Sequence, residues 1–275
     1  MSYRRRALIL RYLALLLVLV VTIGPLLWQL SSSLKSRTEP VFGDGATLLP
    51  RHPTLSAYTT VFDQVPMALY VRNSLIVCAL SVGGQLVLPT LAGYMLSRPG
   101  WRGARLTYVL LVLSMMFPFE SIMVSLYLMV QGMGLVDSLA GVWLPGAVSA
   151  VDVFLMRAAF SAVPTEVEEA ALLDGATEWQ RFRRIYLPAS VGALTVVAIN
   201  SFISAWDDFL WPFVVLRSES HFTLSLGLSR LAQSQLGFDP RVIMAGSMIA
   251  ILPIVGLFVL CQRWFFRGVA EGAVK

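Results

Sequence analysis

The chain is predicted to be an all-α, polytopic membrane protein with six transmembrane helices. Three observations carry this. Of its 275 residues 57% are hydrophobic and only 13% charged, with mean hydropathy +0.73, whereas a soluble domain carries about 25% charged residues. Such a composition excludes a water-facing globule, and also disorder, which requires an apolar-poor chain. The apolar residues fall into six long runs, each about twice the ten residues of a barrel strand and without alternation, so helices are the only way through lipid. At roughly 20 residues per span, this length holds about six spans and their loops.

The first run, Tyr12–Leu30, follows Arg4-Arg5-Arg6. It is longer than a signal-peptide core, so a retained span is expected. The second is Ser74–Leu96. The third, Leu106–Val130, contains Pro118, which can kink it. A short turn, Gln131–Ser138, leads to the fourth run, Leu139–Phe160, with Asp137 or Ser138 placed to cap it. The fifth is Ser190–Leu216 and the sixth Val242–Phe265.

The net charge of +5 reads as basic residues gathered on one membrane face, not as nucleic-acid binding. With the N-terminus inside, 13 Arg and Lys residues lie on the inner side and 7 on the outer, with Arg11 at the membrane edge. Both termini, Lys275 included, are therefore expected in the cytoplasm. The domain organisation is 1–30, N-terminus and first helix; 31–72, external loop; 73–265, a five-helix core; and 266–275, a cytoplasmic tail. The outer loops Ser31–Arg72 and Arg217–Arg241 carry one histidine each, His52 and His221. They serve as spacers or as a contact surface for something outside.

No GxxxxGK[ST], HExxH or GxSxG pattern occurs, so no phosphate loop, metal site, cofactor or catalytic constellation is expected. Cys78 and Cys261 fall in apolar runs without a CxxC, as small hydrophobes.

The segment 163–188 is the most informative. Thr165 followed by Glu168 reads as a capping box that starts a helix near Glu166, and Thr177 followed by Gln180 as a second one. Gly175 ends the first helix, and Pro188 marks entry to the fifth span. Leu172, Leu173, Phe182 and Ile185 give each helix an apolar side, and Ala170 and Ala171 form a small-residue patch. Two interfacial connectors and a docking knob for a partner both fit this pattern.

Here the sequence resembles a family. Glu169-Ala170-Ala171, Asp174-Gly175-Ala176, Phe182, Ile185 and Leu187-Pro188 match the EAA loop of bacterial ABC-importer permeases. Asn73-Ser74, Met116-Phe117-Pro118, Gly134–Ser138, Phe154–Arg157, Trp206–Phe209 and Gly272–Lys275 extend the match. Together they resemble the carbohydrate-uptake branch, similar to the shorter maltose-type permease subunit. The resemblance implies the type I importer fold with a cytoplasmic EAA coupling loop, in a bacterial cytoplasmic membrane. It implies a subunit that moves a sugar or related polyol and is not itself an enzyme. The implied partners are a second homologous permease in a heterodimer, an ABC ATPase dimer, an extracytoplasmic solute-binding protein and membrane lipid. Glu169 is implied to face a basic residue of the ATPase. Ser125, Asp152 and Asp207 depart from the branch's usual residues, which weakens transfer of the solute pathway. A secondary transporter or channel for a small polar solute is the alternative.

Acids within spans usually face a bundle interior or a wet cavity. Glu120 and Asp207 lie in outer halves of their spans, Asp207 about 17 residues in, roughly 25 Å. Asp152 lies nearer the cytoplasmic side, where it can snorkel. Asn200, Ser204 and Asp207 share a helical face, and with Trp206 they suit a sugar. The solute path is expected near these residues and Glu120, although Asn and Ser also glue membrane helices together.

Overall fold

The computed structural model describes residues 2–233 and 239–273, with side chains described for 7–233 and 239–262. Val274 and Lys275, ending the Gly272–Lys275 match, lie outside the described residues, as do the side chains of Arg4–Arg6, Arg263 and Arg267. Contacts divide the chain into two units, Met1–Ala68 with Gly227–Pro253, and Leu69–Leu226 with Ile254–Lys275.

In the first unit, α1 (Ser2–Ser33) presents nearly all its apolar side chains to the surroundings. Such a surface belongs in lipid or against another subunit. After it the chain folds tightly before α2 (Ser56–Gln64). The Lys35 side chain is buried, and its ammonium donates to the carbonyls of Pro40 at 3.1 Å and Thr47 at 2.7 Å. Glu39 accepts from the backbone N–H of Arg51 at 2.7 Å and of His52 at 3.0 Å, and from the Ser36 hydroxyl at 3.0 Å. Led by the Arg51 bond and working against desolvation, these donors lower its pKa to about 2. The segment thus satisfies its buried charges internally, more than a spacer requires.

In the second unit, α3 (Met67–Ser97) is an apolar rod with Pro89 inside it. The third run is two helices, α4 (Ala104–Met115) and α5 (Phe119–Gly132), meeting at 106°. Pro118 lacks the N–H that a continuous helix needs there. The fourth run is also broken. Ser138 caps α6 (Leu139–Trp143), accepting from Gly141 N–H at 3.1 Å, and a 3₁₀ turn follows at Leu144–Gly146. Ser149 then caps α7 (Ala150–Ser161), which is bent 49° from the first half. Asp137 takes a positive φ of 59° and accepts from the N–H groups of Arg217 and Ser218, each at 2.9 Å.

The segment 163–188 folds as α8 (Thr165–Leu173), α9 (Glu178–Arg181), a π-helical turn Phe182–Tyr186 and α10 (Leu187–Ala189). These lead into α11 (Val191–Asp207), with a 75° bend at the junction. Beyond Asp208 the run resumes as α12 (Leu210–Val215). The amphipathic α13 (Leu224–Gln233) and the long α14 (Pro240–Ala273) follow. Among the described residues, α1, α3 and α14 are long and apolar enough to cross a membrane, and the three bent pairs complete six if each is one span. The third, fourth and fifth runs are thus interrupted, where the apolar pattern alone predicts continuous helices. Cys78 and Cys261 are free and line one apolar groove.

Candidate functional site

The 163–188 segment is a knob built by its own local chemistry. At the end of α8, Gly175 takes a φ of +72°. Its N–H donates to Leu172 at 3.0 Å, and that of Ala176 donates to Ala171 at 2.9 Å. This double closure needs a left-handed residue, which glycine adopts without a Cβ penalty. Thr177 and Gln180 form the expected capping box, with bonds of 3.3 and 2.8 Å. The first expected box does not form. Pro164 precedes α8, no side chain caps it, and Thr165 lies within the helix.

The reason is that Glu168 is engaged elsewhere. Its carboxylate pairs with the guanidinium of Arg98 and, at 2.9 Å, with that of Arg181, and it accepts the Tyr186 hydroxyl at 2.8 Å. Arg98 also donates to the Tyr186 hydroxyl and lies over the Tyr94 and Tyr186 rings, 5.3 and 4.9 Å from their centroids. Arg181 pairs with Glu178, and Tyr94 donates to Glu178 at 2.5 Å. Beneath them Tyr94, Phe160, Phe182 and Tyr186 meet edge-on or tilted, at centroid separations from 4.8 to 6.3 Å. Tyr94 belongs to the last turn of α3, and Arg98 directly follows its last residue, Ser97. The knob's inner face is therefore bolted to that helix through a nearly closed set of ions and rings. Removing one partner of a buried ion pair costs about 3–5 kcal/mol, less where water reaches the charge.

The outer face is different. Glu169, Ala170, Asp174 and Gly175 are exposed, while Ala171, Ala176 and Leu187 are half-buried. Leu173 is 90% exposed and Leu172 51%. Phe182 points inward, so the apolar side expected of α8 is left without a packing partner while that of the second helix is filled. Pro188 occupies the first turn of α10, next to the bend into α11.

A second feature lies among α3, the broken fourth span and α11. A cavity of about 400 Å³ is lined by the polar residues Ser81, Gln85, Trp143, Ser149, Asp152, Asn200, Ser201, Ser204 and Asp208, with Val77, Val142, Gly146, Val151 and Ala205. Its size falls in the range of small-molecule sites. Gln85 shapes it by donating to the Gly146 carbonyl at 2.7 Å and accepting from Ser149 N–H at 2.9 Å, which holds both sides of the break. No Lys, Arg or His is among its lining residues.

The cavity brings together Asn200 and Ser204 of the expected path. Trp206, Asp207 and Glu120 are not among its lining residues. Trp206 is buried, stacked on Phe202 at 5.6 Å. Asp207 is the last residue of α11, and Glu120 is exposed in the first turn of α5. Asp152 does not snorkel. The break brings it to the first turn of α7, buried at the cavity wall. Asp208 enters because α11 ends one residue earlier, and its carboxylate accepts from Trp211 N–H at 3.3 Å. Sequence reasoning did not assign Gln85, or the pairing of Tyr94 and Arg98 with the knob. The one available signal was the spacing of four that sets Tyr94 and Arg98 on one face at a helix end.

The model of the family described as binding-protein-dependent transport system inner membrane component matches residues 85–272. The arabinooligosaccharides transport system permease protein AraQ of Halalkalibacterium halodurans is 33% identical over 93% of this chain and 92% of its own. The inner membrane ABC transporter permease protein YcjP of Escherichia coli is 31% identical over 96% of this chain and 95% of its own. The lactose transport system permease protein LacG of Rhizobium radiobacter is 29% identical over 99% of this chain and 98% of its own. In fold, a chain of a bacterial ABC transporter involved in alginate import superposes with a TM-score of 0.86 at 24% identity, over 96% of this chain and 98% of that one. The secondary-transporter alternative falls with these matches. With up to six candidate spans among its described residues and the 163–188 segment inside the matched region, the chain belongs to the binding-protein-dependent transport system inner membrane component family, as a permease subunit of an ABC importer.

Proposed function

We propose that this permease moves an oligosaccharide or related polyol inward through the bacterial cytoplasmic membrane, with the 163–188 knob as its dock for a separate ATPase. The observation that carries the dock is the contrast between the knob's two faces. The inner face pairs its glutamates and arginines with internal partners, whereas Glu169, Leu172 and Leu173 are exposed. An exposed carboxylate beside exposed leucines, on a rigid base, suits a cleft with a basic residue and an apolar floor. Both termini and the knob then face the cytoplasm, in keeping with the 13-to-7 bias of basic residues. The 31–72 segment faces out, toward an extracytoplasmic binding protein.

The sugar class is supported by relatives named for arabinooligosaccharide, galactooligosaccharide and lactose transport. It is also supported by a cavity rich in hydroxyl, amide and carboxylate groups beside the Trp143 indole. A second homologous permease completes the path, as a heterodimer within lipid. ATPase closure moves the knobs, and the spans shift between two packings with different affinity for the solute. The test is reconstitution with the ATPase, the second permease and the binding protein, followed by ATP-dependent uptake of a labelled oligosaccharide panel. Uptake without ATP, or failure of the ATPase to co-purify, would end the reading.

A further inference from the structure

We propose that Glu168 and Arg98 are positioning residues for transport: they tie the knob to α3, and α3 carries the knob's movement to the cavity. The inference rests on the coupling reading above and assigns its route through the molecule. Two paths lead away from the knob. The covalent one runs through Pro188 into α11, but it passes a π-helical turn and a 75° bend. The other runs through side chains into α3, which continues without a break from Met67 to Ser97.

The α3 path is a single helix, with Pro89 inside it as the one residue lacking an N–H for the helical ladder. At one end Arg98 and Tyr94 grip Glu168, Glu178 and Tyr186. Next to Tyr94, Gly93 lies so close to α7 that a Cβ there would meet Arg157 N, Met156 Cβ and Val153 O at 2.8 to 2.9 Å. Close-packed contacts of this kind transmit displacement rather than absorb it. Gln85, 13 residues before Arg98 and roughly 20 Å along the helix, holds the break in the fourth span. Ser81, one turn beyond, lines the cavity. The broken fourth span is the element whose two arrangements the knob would bias, which is what a physical coupling route requires.

The two adjacent glutamates thereby have separate tasks: Glu169 faces outward to the ATPase, and Glu168 joins the knob to the membrane helices. The test uses the full complex in liposomes, with Cys78→Ala and Cys261→Ala removing the native thiols and Ser81→Cys as reporter. The rate of labelling by N-ethylmaleimide is compared without nucleotide and with ATP plus vanadate. The unmodified pair should show a clear nucleotide-driven change. Glu168→Gln and Arg98→Gln should shrink that change by roughly two- to thirtyfold while ATPase co-purification persists. Arg98→Lys, which keeps the charge, should lose less. Combining the two Gln changes should be no worse than either alone, because both break one link.

A full response in both single variants would overturn the proposal. So would a loss that merely follows reduced ATPase co-purification, or losses that add in the double variant. A flat response with the native pair would sink the coupling reading itself, and the inference with it.

Discussion

The knob and the cavity both concentrate acidic side chains, but they treat them differently. In the knob, Glu168 and Glu178 share two guanidinium groups and two tyrosine hydroxyls. In the cavity, Asp152 and Asp208 have no cationic side chain beside them among the lining residues. Ionised groups with fixed partners make a stiff body, since each partner restricts the others. Carboxylates facing a polar hollow keep lone pairs for water or for hydroxyls that arrive with a solute. Under the proposed function, the first arrangement suits transmitting force and the second suits exchanging ligands.

The largest effect should come from unmaking the knob's shape while leaving its charges in place. Gly175→Pro removes the N–H that bonds Leu172 and demands a negative φ where the chain needs +72°. A misplaced proline costs about 3 kcal/mol or more, enough to unhinge α8 from α9. Uptake should fall at least about a hundredfold, with membrane insertion retained. Gly175→Ala is milder, because open space surrounds the missing Cβ and only the backbone conformation opposes it. Glu169→Lys keeps the fold and reverses the outward charge, so ATPase co-purification and uptake should fall together. Normal assembly in both Gly175→Pro and Glu169→Lys would break the comparison at its rigid end.

The two regions were also unequally legible. The knob's turns are written in consecutive residues: Thr177 with Gln180, Gly175, and Pro188 each announce a local conformation. Its bolt to α3 was hidden, because Arg98 and Glu168 are 70 positions apart and each had a plausible local use, one as a membrane-side charge and one as a cap. The cavity was less legible still. Helical spacing grouped Asn200, Ser204 and Asp207, all within α11, yet only the first two line the cavity. The end of α11 at Asp207 turns Asp208 into the cavity instead, and the break at Gly146–Ser149 delivers Asp152. The fourth-span break is held by the bonds of Gln85, and at the end of α11 the Trp206 carbonyl accepts from the Ser225 hydroxyl at 2.9 Å; no local pattern reveals either tertiary bond.

Substitutions in the cavity should have a smaller and more selective effect. Asp208→Asn and Asp152→Asn keep the shape and exchange one carboxyl oxygen for an amide donor, and a hydrogen bond lost to a solute hydroxyl is worth about 0.5–1.5 kcal/mol. Half-maximal uptake should then need about two- to tenfold more solute-loaded binding protein, or the order of preference among oligosaccharides should change. ATPase co-purification should stay intact. If both variants instead lower assembly and leave solute preference unchanged, the cavity is a packing feature and the contrast with the knob dissolves.

The smallest effect concerns a third way of holding an acid. Glu39 in the 31–72 segment is bound by the backbone N–H groups of Arg51 and His52 and by Ser36 rather than by a guanidinium. These donors favour the carboxylate and lower its pKa from 4.5 to about 2. A depressed pKa means the unfolded segment binds the proton more readily than the folded one. The stabilisation is therefore fully present above pH 4.5 and is lost as pH falls through about 2. Hydrogen-exchange protection of the 36–52 backbone, corrected for intrinsic rates, should decline across that window in the native protein. Glu39→Gln cannot ionise, so its protection should begin lower and lack that decline, while the knob and cavity are unaffected. An equal slope in the Gln variant would show that another group governs the segment. A slope confined to the native chain would show that two backbone N–H groups and one hydroxyl can fix the 31–72 segment, as guanidinium groups fix the knob.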